Sequence, residues 1–193
     1  MSPTRAEITG LLLAGGRGSR MGGVDKGWVV FDGRPLVRHV FDRFAPQVGS
    51  VLISANRSID DYRQLAEVVT DEDAGLALEA FPGPLAGVLA GLTRSGAEWL
   101  ALAPCDAPAL PADLVARLSE NIGEAAVAFP VAGGRTQPAF ALVRRRALDS
   151  LRTFLQSGGR AMHRWYDAVG SVAVSFDDVG AFRNINEPGA TNP

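Results

Sequence analysis

Residues Leu11 to Gly27 read L-L-L-A-G-G-R-G-S-R-M-G-G-V-D-K-G, an apolar segment that enters a glycine-rich, charged loop. An apolar run, Ile8 to Ala14, has the length of a buried strand. It flows into a loop holding Gly15, Gly16, Gly18, Gly22 and Gly23, and the loop ends at Asp25-Lys26 before a second apolar run, Trp28 to Phe31. Glycines let a backbone approach an anion closely and turn its N–H groups inward. Arg17, Arg20 and Lys26 add full positive charge. The combination suggests a nucleoside triphosphate site. Neither common phosphate-loop template fits: Val24 follows Gly23 where a Walker loop needs Lys, and Met21 replaces the third glycine of the dinucleotide fingerprint. The lysine lies across a long loop, from which it could reach back over a triphosphate.

Working outward, short apolar runs alternate with amphipathic segments. Strands are expected at Val51 to Ala55, Val68 to Thr70, Trp99 to Ala103, Ala125 to Val131, Ala139 to Val143 and Ser171 to Phe176. Helices are expected at Pro35 to Phe44, Asp60 to Glu67, Pro84 to Arg94, Pro111 to Glu120 and Arg144 to Gln156. Asp71 to Phe81 reads as a longer loop. This order implies βαβ units and a mainly parallel sheet, with an antiparallel addition in the C-terminal half. Ligands on such sheets bind at the carboxyl ends of the strands. The glycine loop after Ala14 and the Asp106 turn after Ala103 both fall there, so they can face one crevice.

The bulk composition narrows the function classes. The chain has 193 residues, 47% hydrophobic and 21% charged, enough for one α/β domain over residues 1–193. A net charge of −2 offers no basic surface for nucleic acid. The single cysteine cannot form an internal disulfide, and no Cys/His cluster suggests zinc. Cys105 reads as a small buried apolar residue rather than a nucleophile. No apolar run approaches the ~20 residues of a membrane span, and the polar start carries no signal-peptide pattern. A cytoplasmic protein is the expectation.

Several motifs, in order, resemble the molybdenum cofactor nucleotidyltransferases. Leu13-Ala14-Gly15-Gly16 through Arg20-Met21-Gly22 to Asp25-Lys26-Gly27 is similar to that family's signature. Pro82-Gly83-Pro84-Leu85-Ala86-Gly87 resembles its second nucleotide-side loop, and Pro104-Cys105-Asp106-Ala107-Pro108 its metal-binding turn. Gln137-Pro138-Ala139-Phe140-Ala141-Leu142 resembles its substrate-side strand, and Asn184-Ile185-Asn186-Glu187-Pro188 its C-terminal N-x-N-x-P motif. The string Met21 to Gly27 is most similar to the guanylyltransferase, MobA-type branch.

The resemblance implies a Rossmann-like three-layer α/β/α nucleotidyltransferase fold. Residues 1–110 would bind GTP and residues 111–188 would form the pterin side. It implies that Lys26 contacts the triphosphate, Arg20 holds the leaving pyrophosphate, and Asp106 holds Mg²⁺, an ion that usually takes one or two protein carboxylates plus phosphate oxygens. Leu13, Ala14, Gly15, Gly16, Ser54, Asp71, Gly83 and Gly87 join Lys26 and Asp106 as nucleotide-binding candidates. The family often carries an amide at the position of Ser54. Serine cannot read a base edge with paired donor and acceptor, and Asn56 stands nearby to compensate. Asp73 competes with Asp71 for one role. Asn184, Asn186, Gln137 and Arg160 are the pterin-side candidates.

Simpler readings exist for each: glycines for turns, Asp106 as a cap, Gly83-Pro84 as a helix start, and Arg160 as a solvated charge. The implied activity is transfer of GMP from GTP to molybdopterin carrying molybdenum. Molybdoenzyme chaperones or other cofactor-synthesis proteins would be partners, with no nucleic acid or membrane. Competing readings are a cytidylyltransferase on the same pterin, a sugar-phosphate nucleotidyltransferase, a nucleotide-binding protein without turnover, and a Rossmann oxidoreductase.

Overall fold

The first strand, β1 (Ile8–Leu13), lies inside the sheet and is buried on both faces. The computed structural model describes residues 2–15, 25–76 and 83–185. β1 is flanked in parallel by β4 (Ser50–Ser54) and β6 (Trp99–Pro104), and β5 (Glu67–Val69) pairs in parallel with β4. Beyond β6 the order continues through β9 (Ala141–Arg144), β7 (Val127–Ala132) and β10 (Ser171–Phe176). β9 runs antiparallel to both neighbours, while β7 and β10 pair in parallel. A two-residue strand, β8 (Arg135–Thr136), folds back on β7. A separate hairpin pairs β2 (Val30–Phe31) with β3 (Arg34–Pro35). Its central residues Asp32 and Gly33 have φ of 45° and 75°, as a tight two-residue turn requires.

Strand alternation divides the core into two layers. Ile8, Leu12, Ile53, Ala101 and Ala103 face α1 (Leu36–Phe44), α2 (Ile59–Arg63) and α4 (Leu114–Asn121). Leu11, Leu52, Leu100 and Leu102 face α3 (Pro84–Ser95), α5 (Leu148–Gln156) and α6 (Met162–Val169). With helices on both faces, the central strands need apolar residues at every position, which is why they read as continuous runs.

The three-layer, mainly parallel fold with an antiparallel C-terminal addition is therefore present, and the differences are local. The helix expected to reach Glu67 ends at Arg63, because the chain must turn through Gln64 and Leu65 to enter β5. α4 starts at Leu114 rather than Pro111, whose carbonyl accepts hydrogen bonds from Leu114 N and from the Gln47 amide. Arg144 belongs to β9 and precedes a 3-10 turn, Arg145–Ala147, so the fifth helix begins later than its periodicity suggests. The sequence pattern predicts no element over α6. That helix is only eight residues long, and it follows the Gly158-Gly159 break.

Candidate active site

Four strands end level with one another. Leu13 pairs with both Ser54 and Pro104, and Ser54 pairs with Val69. Backbone bonding then carries one residue further: Ala14 N donates to Ser54 O at 2.8 Å, Ala55 N to Val69 O at 3.0 Å, and Cys105 N to Leu13 O at 3.1 Å. Ala14-Gly15, Asn56, Asp71 and Asp106 are thereby brought to one edge. After β1 the chain adds β4 and β5 on one side and returns to place β6 on the other. The sheet's order thus reverses between β1 and β6, the position where open α/β sheets form a ligand crevice.

Lys26 and Asp106 meet at that reversal. Lys26 Nζ donates to Asp106 Oδ2 in an ion pair whose side chains are 28% and 12% exposed. The other carboxylate oxygen, Oδ1, is buried and has no hydrogen-bond partner among the described residues. A buried carboxylate oxygen without a donor is costly unless a ligand satisfies it. The Asp106 carbonyl is occupied: Ile185 N donates to it at 2.9 Å, and Ile185 is seated beside Val29 and Leu36. Asn184 is thus brought next to the Asp106 turn. Burial and the neighbouring Asp106 push the Cys105 thiol well above its usual range, so it is a neutral packing group.

Lys26 stands on a 3-10 turn, Lys26–Trp28, that is pinned from below. Asp25 Oδ1 accepts from Gly27 N at 3.2 Å and from the Tyr62 hydroxyl at 2.6 Å. Tyr62 is wholly buried, and its ring lies 5.2 Å from that of Trp28. A Cβ on Gly27 would lie 3.2 Å from Tyr62 Cζ, with the hydroxyl nearer still. Only glycine lets the turn sit this close to the phenol. Burial, reinforced by the hydrogen bond to the Asp25 carboxylate, keeps that phenol protonated at any ordinary pH. The expected helix over Asp60 to Glu67 contains Tyr62, and no motif marks it. An aromatic among Asp60, Asp61 and Arg63 was the available signal.

On the β4–β5 side, Ser54 is buried beneath α3. A Cβ on Gly87 would lie 2.9 Å from Ser54 Cβ, with Oγ nearer still. Gly15 lies beside Asn56, whose Oδ1 accepts from Asp71 N at 2.9 Å. Burial raises the Asp71 carboxyl, and its hydrogen bond with Asn56 partly offsets this. Asp73 is engaged elsewhere, accepting from Thr70 N at 2.6 Å and Thr70 Oγ1 at 3.0 Å in a capping box. Gly83 begins α3 near the Arg160 carbonyl.

The remaining pterin-side candidates are less closely joined. Arg160 Nη1 donates to Leu155 O at 2.9 Å and Gly159 O at 2.7 Å, closing the end of α5. Gln137 N donates to Pro130 O at 2.9 Å, just before β9 enters from the edge where β6 ends. No described contact links Gln137 to Lys26 or Asp106. Gly16, Gly18, Arg20, Gly22, Gly23, Pro82 and Asn186 lie outside the described residues.

Asp106 is suited to a hard cation, which needs few protein carboxylates when phosphates supply the remaining oxygens. Among the described residues no cluster of three or more His, Cys, Asp or Glu forms a self-sufficient metal site. No helix among them is long and apolar enough to cross a membrane.

Similarity to known proteins agrees with this geometry. The molybdenum cofactor guanylyltransferase of Ralstonia nicotianae is 49% identical to this chain, over 96% of this chain and 94% of the relative. The protein of the same name from Cupriavidus metallidurans is 48% identical, over 95% and 92%. The crystal structure of molybdopterin-guanine dinucleotide biosynthesis protein A from Archaeoglobus fulgidus shares the fold with a TM-score of 0.72, at 22% identity and over 94% and 93% of the two chains. Residues 10–170 match the MobA-like NTP transferase domain, and with relatives of this identity along nearly its whole length the chain belongs to that nucleotidyltransferase family.

Proposed function

We propose that the protein transfers GMP from GTP to molybdopterin carrying molybdenum, releasing pyrophosphate and leaving the guanine dinucleotide form of the cofactor. One observation carries this reading: Lys26 and Asp106, 80 positions apart in sequence, meet at the sheet reversal, and the other Asp106 carboxylate oxygen has no hydrogen-bond partner among the described residues. The names of the full-length relatives supply the substrates.

The terminal phosphate of the pterin side chain attacks the α-phosphorus of GTP. A P–O bond forms there, the bond to the β-phosphate oxygen breaks, and pyrophosphate leaves with the electron pair. The nucleophile is already ionised at neutral pH, so the protein needs no covalent catalyst and works by position and charge. Lys26 would hold the triphosphate and Arg20 the leaving group. Asp106 would hold Mg²⁺, which when bound neutralises phosphate charge. Gly15, Gly16 and the residues around Ser54, Asp71, Gly83 and Gly87 would receive the nucleotide. Asn184, Asn186, Gln137 and Arg160 would face the pterin. Delivery to a molybdoenzyme chaperone, in the cytoplasm, belongs to the same reading.

The test is pyrophosphate release with each nucleoside triphosphate and a panel of acceptors. GTP with molybdenum-loaded molybdopterin should give the fastest turnover. Faster release with CTP or with a sugar phosphate would overturn the substrate assignment.

A further inference from the structure

We propose that Tyr62 is a positioning residue for Lys26, acting through Asp25. This rests on the nucleotidyl-transfer reading and adds to it a component outside the motifs. Lysine has a flexible stem and a compact charge, so its aim is set largely by its backbone. Here that backbone is a three-residue turn, too short to hold itself in place.

Tyr62 meets the turn at three points. Its hydroxyl donates to Asp25 Oδ1, the same oxygen that accepts from Gly27 N and so closes the turn around Lys26. Its ring packs against Trp28, the residue that ends the turn. The third is the space left by Gly27, which only glycine fills without displacing the phenol. Tyr62 also shares its buried cluster with Cys105, next to Asp106. The buried hydroxyl takes as its partner the carboxylate next to the lysine. A buried hydrogen bond to a charged group is among the stronger contacts available for such a task.

The test compares Tyr62→Phe, Lys26→Ala and the double variant. Tyr62→Phe keeps the ring and removes only the donor. It should lower kcat at saturating GTP about tenfold, the factor corresponding to ~1.4 kcal/mol, with little change in the KM for GTP. In the Lys26→Ala background the same change should have no further effect on kcat, since there is no longer a lysine to aim. A merely structural tyrosine would instead give equal losses in both backgrounds, or a lowered melting temperature with unchanged kcat, and either result overturns the proposal. Hydrogen exchange is read alongside activity: Tyr62→Phe should speed exchange at Gly27 and Trp28 while β1 and β6 stay protected. Unchanged exchange there also overturns it. If the wild-type protein transfers no nucleotide, the functional reading fails, and the exchange result still reports whether Tyr62 orders the turn.

Discussion

Replacing Gly87 with alanine tests how tightly the floor of the crevice is built. The new Cβ would stand 2.9 Å from Ser54 Cβ and nearer to Ser54 Oγ, with Leu13 Cδ2 at 3.7 Å. Carbon atoms pack at roughly 3.5–4.0 Å, so either α3 or the end of β4 must move by several tenths of an ångström. Ser54 cannot retreat easily, being only 3% exposed and held in the ladder between β1 and β5. Overpacking of this kind costs about 1–3 kcal/mol. For a chain of this size that is a fall in melting temperature of roughly 2–4 °C per kcal/mol. Urea unfolding is the assay: Gly87→Ala should lower the midpoint without changing the m-value. Adding Ser54→Ala removes the nearer atom and should restore part of the loss. Full wild-type stability in Gly87→Ala, or no recovery in the double variant, would show that α3 does not press on Ser54 as described.

Further predictions concern the two sides of the site. Asp106→Ala should reduce Mg²⁺-dependent pyrophosphate release at least a hundredfold, consistent with ~3 kcal/mol for a lost charge-stabilising group, while the fold stays intact by circular dichroism. Asn56→Ala should move the Asp71 titration further up in pH, because it removes the hydrogen bond that offsets burial. NMR of the carboxyl carbon reads this directly. A folded-state carboxyl raised by burial favours folding while protonated, and that contribution fades as pH rises through the raised value. Arg160→Ala should cost about 1 kcal/mol of stability through the lost bonds at the end of α5. Comparing its KM for GTP with that for the pterin then separates a capping role from acceptor contact.

Much of this architecture was legible because the central strands are buried on both faces. Trp99 to Pro104 appears as an uninterrupted apolar run and Ile8 to Leu13 as one broken only by Thr9 and Gly10, and the turns after them carry the charged residues. Lys26 and Asp106 could be named from the sequence for that reason. Their meeting is a property of strand order, which the sequence does not display. Tyr62 escaped notice because its partner Asp25 lies 37 positions away in a motif already accounted for by its lysine. The end of α2 and the start of α5 were misjudged where helical periodicity ran on past a point at which the chain had to enter or leave a strand. The competition between Asp71 and Asp73 could not be resolved by spacing, since both follow β5. What spacing does not display is that Asp73 bonds back to Thr70, a local capping contact.

The reversed direction of β9 has a consequence for how such a crevice can diversify. β7 ends and β9 begins at the same edge, so the peptide between them, carrying β8 and Gln137, is a loop tethered at both feet to that rim. Lengthening or reshaping it would remodel the rim on the proposed acceptor side while leaving the register of β1, β4 and β6 untouched. That rim can thus change shape while the crevice containing Lys26 and Asp106 keeps its own.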